Sequence, residues 1–118
     1  MMIVSDSFVI ADWTDPGVTS RERPIAGLHV HRSDDEAWYV LSGRLGFQVG
    51  DTTREIGAGE SILVEHGTPH SYWNALADPT HYLLVMTPRI HALIEALHSG
   101  ERSDWARIFE EHDSELLT

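Results

Sequence analysis

The 118-residue sequence contains no cysteine. This absence excludes disulfides, thiolate zinc sites and cysteine nucleophiles. Basic residues are also scarce, because 8 Lys and Arg stand against 19 Asp and Glu, giving a formal net charge of −11. A field of that sign repels phosphate backbones and anionic lipid headgroups, so we expect neither nucleic acid nor membrane as a partner.

Long hydrophobic runs are missing as well. The opening segment, MMIVSDSFVIADW, has neither the basic region nor the long apolar stretch of a signal peptide. No later apolar run approaches the length of a membrane span. We therefore expect a cytoplasmic protein, with residues 1–118 forming a single domain.

What the sequence does have is a series of short runs rich in β-branched and aromatic residues, separated by Gly, Pro and Asp, from about residue 7 to 87. The turn residues Ser42-Gly43 and Gly50-Asp51 lie between alternating runs, as hairpin connections do. So many short strands indicate an all-β sandwich or closed barrel. The predicted strands are Phe8–Asp12, Ala26–His31, Ala37–Ser42, Arg44–Val49, Thr52–Ile56, Ser61–Glu65, His70–Asn74 and His81–Met86.

The C-terminal segment, about residues 88–118, has a helical period instead. Thr87 can cap a helix that starts at Pro88, and Gly100 follows its end. A second apolar stripe begins near Ser103, so one or two short helices are predicted, packed on the barrel or on a second subunit. The two stripes are Ile90, Leu93, Ile94 and Leu97, then Trp105, Ile108 and Phe109.

A histidine pair in GLHVHRSDDEAWYVLSG is a candidate metal site. Side chains two apart on a strand project to the same face, so His29 and His31 can direct two imidazoles at one ion. Glu36 begins the next predicted strand, and a neighbouring antiparallel strand can bring its carboxylate alongside. Two nitrogens and one oxygen suit Fe(II), Mn(II), Ni(II), Co(II), Cu(II) or Zn(II).

An HxH pair is weak evidence alone, since eight histidines in this length give about 0.5 such pairs by chance. The alternative is a group of polar residues that hydrogen-bond locally. A second stretch, GESILVEHGTPHSYWN, strengthens the metal interpretation. It supplies a predicted strand, the turn Gly67-Thr68-Pro69, and then His70 at the head of another strand.

Together the two stretches resemble the paired motifs of the cupin family. His29, His31, Glu36 and Gly43 match the first motif, and Gly59, Gly67, His70 and Asn74 match the second. Arg23 stands where the first motif has a glycine, and Glu65 replaces a proline of the second. Neither departure falls on a ligand position, so they concern turn shape rather than metal binding.

The resemblance implies a jelly-roll barrel that holds one divalent transition metal on His29, His31, Glu36 and His70, with remaining positions open to water or substrate. An open position is typical of catalytic metal sites. Within that scheme Glu36 either completes the coordination or accepts a substrate proton as a general base. Asn74 is interpreted as a strand-end hydrogen-bonding residue rather than a ligand.

Aromatic residues lie close to these positions in the strand pattern. Trp38 shares the parity of Glu36, Tyr72 shares that of His70, and Phe47 follows on the next strand. These three side chains are candidates for a substrate pocket beside the ion. Plain core packing is the alternative for all three, since aromatics dominate protein cores.

Three functions fit the predicted site. The first is a dioxygenase-like oxidoreductase acting on a small oxygen-bearing molecule, because VLSGRLGFQVGD and GTPHSYWN resemble small quercetinase-type cupins. The second is a lyase, isomerase or hydrolase that uses the ion as a Lewis acid. The third is a non-enzymatic module that binds a small molecule or metal. We also expect a homodimer, because the apolar run Phe8 to Trp13 suggests strand exchange or sheet continuation.

Overall fold

A computed structural model describes residues 2–118. Two antiparallel five-stranded sheets face each other, which confirms the prediction of an all-β jelly roll, although the sheets do not close into one continuous barrel. The first sheet has the order β1-β2-β9-β4-β7 and the second β10-β3-β8-β5-β6. The first consists of β1 (Met2–Val4), β2 (Val9–Asp15), β9 (Thr80–Met86), β4 (Glu36–Ser42) and β7 (Ser61–Val64). The second consists of β10 (Ser114–Leu116), β3 (Ala26–His31), β8 (His70–Asn74), β5 (Arg44–Val49) and β6 (Thr52–Gly57).

The core lies between the two sheets. Alternate residues of each strand point inward, so Trp38 and Val40 of β4 are buried while Tyr39 between them is exposed. From the other sheet, Phe47 and Tyr72 meet them. This period-two burial is the pattern that the sequence predicted for these strands.

Two helices follow the last long strand. Helix α1 (Pro88–Ser99) begins as predicted, because the Thr87 hydroxyl accepts the Ile90 N–H at 3.2 Å and proline occupies the first turn. A 3-10 turn at Arg102–Asp104 leads into α2 (Trp105–Glu111). Between residues 2 and 118, no helix combines the length and apolar character that crossing a bilayer requires.

The C-terminal segment is not only helical. After α2 the chain forms β10, which pairs antiparallel with β3 and places Ser114 opposite His31 and Leu116 opposite His29. This strand is three residues long and has no alternating apolar pattern, so the sequence did not predict it. The pairing brings the end of the described chain against the strand that carries two candidate ligands.

The sequence suggests that the N-terminal apolar run is exposed and available for pairing with a second subunit. In the structure this run is not an exposed edge. Strand β2 is paired on both sides, with β1 and β9, and its Val9 and Ala11 side chains are fully buried. The edge strands of this sheet are β1 and β7, and the pairing of β1 with β2 was not predicted. The apolar character of residues 8–13 is thus explained mainly by the core of the domain.

Candidate metal centre

The four candidate ligands come together at one end of the space between the sheets. His29 and His70 are direct partners in the pairing of β3 with β8, and His31 lies two residues along β3. Glu36 reaches them from the first residue of β4. One ligand atom from each of these buried residues can be chosen so that all four lie within 4.8 Å of one another.

The carboxylate approaches from a direction that the sequence did not indicate. The sequence predicts that a strand adjacent to β3 carries Glu36, but β3 and β4 belong to opposite sheets. The segment Arg32–Asp35 crosses from one sheet to the other, so Glu36 faces the histidines across the core. Ligands from both sheets therefore surround the same point.

Backbone carbonyl groups orient two of the imidazoles. His29 Nδ1 lies 2.6 Å from the Gly27 carbonyl oxygen, and His70 Nδ1 lies 2.9 Å from the Thr68 carbonyl oxygen. A carbonyl can only accept, so each Nδ1 donates. Each ring is thereby fixed with Nε2 toward the other ligands, which is the usual outer arrangement of metal-binding histidines.

His31 is oriented by a side chain from the other end of the chain. Its Nδ1 lies 2.7 Å from Ser114 Oγ, and that hydroxyl donates to the His112 carbonyl at 3.1 Å. Since the serine hydrogen is committed to His112, Ser114 Oγ acts as the acceptor for His31. The third imidazole is thus held in the same way as the other two.

Glu36 binds two of the imidazoles through one oxygen. Its Oε1 lies 3.0 Å from His31 Nε2 and 2.6 Å from His70 Nε2. Burial opposes ionisation of this carboxyl, but the hydrogen bonds from His31 and His70 outweigh burial and lower its pKa. A metal cation bound by His31 Nε2 and His70 Nε2 would take the place of the hydrogens that these atoms donate to Glu36.

His29 is held in its neutral form. Burial, followed by repulsion from His70, lowers the pKa of His29 to about 3. Because its Nδ1 carries the hydrogen that Gly27 accepts, its Nε2 presents a free lone pair. Neutral imidazole is the form that binds metals.

The donor set fits one divalent transition-metal ion. Three imidazole nitrogens and a carboxylate suit iron, manganese, nickel, cobalt, copper and zinc rather than calcium or magnesium. Ligands at about 2.1 Å on opposite sides of an ion are about 4.2 Å apart, close to the 4.8 Å limit on the separations here. These four residues could therefore bind a metal with small side-chain adjustments.

The loop before β8 is tied to the strand that carries the histidine pair. Gly67 has a φ of 80°, a left-handed conformation that favours glycine. Its N–H donates to the His31 carbonyl at 2.7 Å. This turn fixes the head of β8, and with it His70, beside β3.

The other five histidines do not join the cluster. The nearest partners of four of them are groups elsewhere in the fold. These pairs are His66 with Asp35, His81 with Asp12, His91 with Glu95 and His112 with the Ile108 carbonyl. The fifth, His98, lines the cavity described below without belonging to the metal-ligating group.

The three aromatic candidates pack together next to the cluster. Trp38 lies with its ring centroid 5.0 Å from that of Phe47 and 5.9 Å from that of His70. Phe47 and Tyr72 stack at 5.6 Å, and the Tyr72 hydroxyl lies 3.0 Å from that of Tyr82. The structure brings all three candidates together within the core.

A cavity of about 1220 Å³ opens beside the ligands, and His29, His31 and Glu36 are among the residues that line it. Of the aromatic candidates Tyr72 belongs to its wall, whereas Trp38 and Phe47 do not. Helices α1 and α2 form part of the opposite wall. The buried ligands therefore have a space next to them that can hold a small molecule.

Several residues of this region were missed from the sequence. Ser114 orients His31, and Arg21, Arg23 and Arg102 line the cavity. None belongs to a motif with recognisable spacing, and β10 is too short to show a pattern. The arginines could have been suspected only from their rarity in so acidic a chain.

A domain model described as the cupin domain matches residues 20–86, more than half of the chain. The chain belongs to the cupin family. No curated protein matches this cupin in sequence.

Solved structures share the same fold. An uncharacterized protein with a double-stranded β-helix domain from Klebsiella pneumoniae is 24% identical, with 74% of this chain and 73% of that one covered and a TM-score of 0.59. TT1209 from Thermus thermophilus is 25% identical, with 73% and 77% covered and a TM-score of 0.60. A protein from Thermotoga maritima, described as a predicted oxalate decarboxylase, is 26% identical, with 68% and 64% covered and a TM-score of 0.53.

Proposed function

We propose that this cupin is a metal-dependent enzyme of the dioxygenase kind that acts on a small oxygen-bearing organic substrate. The supporting observation is the buried group of three imidazoles and one carboxylate beside a cavity of about 1220 Å³. Structural metal sites are closed by protein ligands, whereas catalytic sites keep room for a reactant. A cavity of this size next to the ligands favours the catalytic kind.

In this proposal His29, His31 and His70 hold the ion, and Glu36 is a fourth ligand or the general base. When bound, the ion supplies Lewis acidity and, if it is redox-active, a centre for reaction with O₂. Glu36 Oε1 receives both histidine hydrogen bonds, while Oε2 makes none to residues 2–118. That second oxygen is the atom that would take a proton from a substrate in the cavity.

The aromatic side chains have different parts in the proposal. Tyr72 lines the cavity and contacts substrate directly. Trp38 and Phe47 pack behind it and act on the substrate through the position of Tyr72. The substrate-binding role predicted for all three is thus divided between one contact residue and two supporting residues.

A non-redox reaction is the second candidate. The relative from Thermotoga maritima, 26% identical, is described as a predicted oxalate decarboxylase, and decarboxylation belongs to lyase chemistry. The same ligands can polarise a carbonyl group and stabilise an enolate. A cupin that only stores or senses a small molecule is the remaining alternative.

Metal analysis combined with oxygen-dependent turnover tests the proposal. The purified chain is assayed for metal, reloaded separately with Fe(II) and Zn(II), and incubated with α-hydroxy ketones, catechols and β-diketones. We expect close to one ion per chain, and product formation that consumes O₂ and stops under anaerobic conditions. Equal turnover without O₂ would move the assignment to the lyase or isomerase. Binding without turnover would leave the non-enzymatic module, and absence of metal after reloading would reject both metal-dependent enzymes.

We further propose that this cupin is a homodimer joined through the outer face of the first sheet. One apolar row crosses all five strands of that face, since each residue in it is the direct cross-strand partner of the next. The row consists of Ile3, Ile10, Val85, Ala37 and Leu63. Tyr39 and Leu41 extend it, and both are 41% exposed.

A second copy of the chain is the partner that this face fits. Asp12 is the one acidic side chain at the outward positions of these five strands, and its carboxylate is hydrogen-bonded to His81 Nε2, so the face carries little of the protein's net charge of −11. Two such acidic molecules can approach closely only through a surface of this kind. Ile3, Tyr39, Leu41 and Leu63 on this face are each between 41% and 59% exposed, and a contiguous exposed apolar patch typically marks an interaction surface.

A further inference from the structure

The cavity of this cupin continues from the ligand cluster to the C-terminal helices, and most of its wall is apolar. Helix α1 contributes Ile90, Ile94 and Leu97, while α2 contributes Phe109, whose ring lies 5.5 Å from that of His29. The volume of about 1220 Å³ exceeds the ~300–1,000 Å³ typical of small-molecule pockets. The cavity therefore suits a substrate with an extended apolar part rather than a very small polar acid.

The arginines of the chain are divided between two environments. All eight basic residues are arginines, because the sequence contains no lysine. Four of them form ion pairs with Asp or Glu, and none of these four lines the cavity. These paired residues are Arg32, Arg44, Arg89 and Arg107.

The arginines that line the cavity make no ion pair with any group of residues 2–118. They are Arg21, Arg23 and Arg102, and since all three are exposed to solvent they lie at the opening of the cavity. The remaining arginine without an ion pair, Arg54, is on β6 and does not line the cavity. In a protein with 19 acidic residues, three unpaired cations at one opening indicate an anionic ligand.

Acidic side chains also line the cavity, but none of them forms an ion pair with the three arginines. The Asp15 carboxylate accepts hydrogen bonds from the Gly17 N–H at 3.0 Å and the Thr19 hydroxyl at 3.3 Å, and Glu36 is hydrogen-bonded to His31 and His70. Glu22 is exposed between Arg21 and Arg23 in the sequence. On the helical side, the Arg102 guanidinium lies 4.7 Å from the centre of the Trp105 ring.

That stacking leaves the Arg102 N–H groups available, because a cation on an aromatic face uses its charge rather than its hydrogens. Trp105 Nε1 is itself buried without a hydrogen-bond partner in the described chain. The helical edge of the opening thus offers the exposed Arg102 guanidinium, which no acceptor of the described chain uses.

We propose that the substrate is an apolar molecule with an oxyanion, a carboxylate or a phosphate, at one end. The oxyanion pairs with Arg21, Arg23 and Arg102 at the opening, and the apolar part lies between the sheets and α1. Planar guanidinium groups bind both oxyanions through paired hydrogen bonds. This inference rests on the proposed function for one point only, that the reacting part of the molecule lies beside His29 and Glu36.

Calorimetric titration with three probes tests the inference. Octanoate, octyl phosphate and 1-octanol share one apolar chain and differ in the end group, so their affinities for the purified full chain isolate the contribution of charge. We expect at least one anionic probe to bind about tenfold or more tightly than the alcohol. Whichever of the two binds better identifies the oxyanion.

Matched variants assign the effect to the opening. The double variant Arg21→Gln with Arg23→Gln, and separately Arg102→Gln, are expected to reduce the ratio of anion affinity to alcohol affinity. Arg54→Gln removes an equally unpaired arginine elsewhere and is expected to leave this ratio unchanged. Equal affinity for 1-octanol and the anions, an equal loss in Arg54→Gln, or no binding of any probe would overturn the inference.

The metal content of the same preparation keeps the two proposals apart. Octanoate or octyl phosphate binding to a chain that takes up no metal would support the anion site and reject the proposed enzyme. A metal-loaded chain that binds none of the three probes would reject the anion site and leave the proposed enzyme standing.

Discussion

Ser114 Oγ accepts a hydrogen bond from His31 Nδ1 at 2.7 Å, although 83 positions separate the two residues. The last strand of the described chain thereby holds one of the four candidate ligands in orientation. Outer hydrogen bonds of this kind typically contribute tenfold to a hundredfold in metal affinity.

Replacing Ser114 by alanine is expected to weaken metal binding without removing any ligand. We expect Ser114→Ala to lower the affinity for Zn(II) about tenfold or more, because His31 loses its acceptor and its fixed ring orientation. Competition with a chromogenic chelator measures this change. Ser99→Ala removes a hydroxyl that caps only the exposed end of α1, and an equal loss there would show that Ser114 has no specific role.

Loss of a ligand is expected to remove the metal and leave the fold. His29→Ala and His70→Ala each delete one nitrogen from the cluster, while the strands that carry them retain their pairing with β8 or β5. Elemental analysis and circular dichroism measure both effects. His91→Ala, a histidine on α1 outside the cluster, is the control. Full metal occupancy in either ligand variant would refute the ligand assignment.

Phe47 is expected to matter for stability more than for substrate contact. Its side chain is fully buried between the sheets and does not reach the cavity wall. Phe47→Ala should lower the free energy of unfolding by about 3–5 kcal/mol, measured by urea denaturation. Phe8→Ala changes a side chain that is 43% exposed and should lower the free energy of unfolding by less than about 1 kcal/mol. Equal losses of stability in the two variants would contradict the core position of Phe47.

The paired tyrosines predict a late alkaline transition. Burial raises the pKa of Tyr82 to about 12, and burial together with the neighbouring Tyr82 raises the pKa of Tyr72 well above 10. The neutral hydroxyls are therefore favoured by the fold, so their contribution to stability is complete below about pH 10. It is lost as the pH rises toward 12.

Tyrosinate absorbance during alkaline titration measures this transition. We expect a late phase in the native protein that disappears in denaturant and shrinks in Tyr82→Phe. A native protein whose tyrosines all ionise together near their ordinary pKa would contradict the buried pair.

A charge on the outer face of the first sheet should separate the proposed dimer. Leu63, 59% exposed on β7, lies in the apolar row that crosses the sheet. Leu63→Arg is expected to shift the mass measured by light scattering from two chains to one. Val18→Arg introduces the same charge at a side chain that is 79% exposed outside that row. A monomeric wild type, or an equal shift in both variants, would exclude this interface.

The sequence predicted those parts of the fold whose signals are local. Strands β3, β5 and β8 have the predicted bounds, because alternation and turn residues specify each of them separately. The sequence also identified the four residues that the structure brings together, because their spacing within two short stretches reflects strand periodicity and one turn. Thr87 and Pro88 likewise identified the start of α1.

Long-range features could not be obtained in the same way. Strand β10 has three residues, and only its pairing with a strand more than 80 positions earlier makes it a strand. The placement of Glu36 opposite β3 depends on a crossing between sheets that the polar turn does not specify. The unpaired state of three arginines depends on where every acidic side chain lies, which no motif records.

The pairing of β10 with β3 also sets an order of events during synthesis. Residues 29–70 leave the ribosome well before Ser114, so all four candidate ligands are available while the acceptor for His31 is still missing. The geometry of His31 is therefore completed last, by a residue outside the two stretches that supply the candidate ligands. Any ion that the cluster holds would meet the fully oriented His31 ring only after β10 has paired with β3.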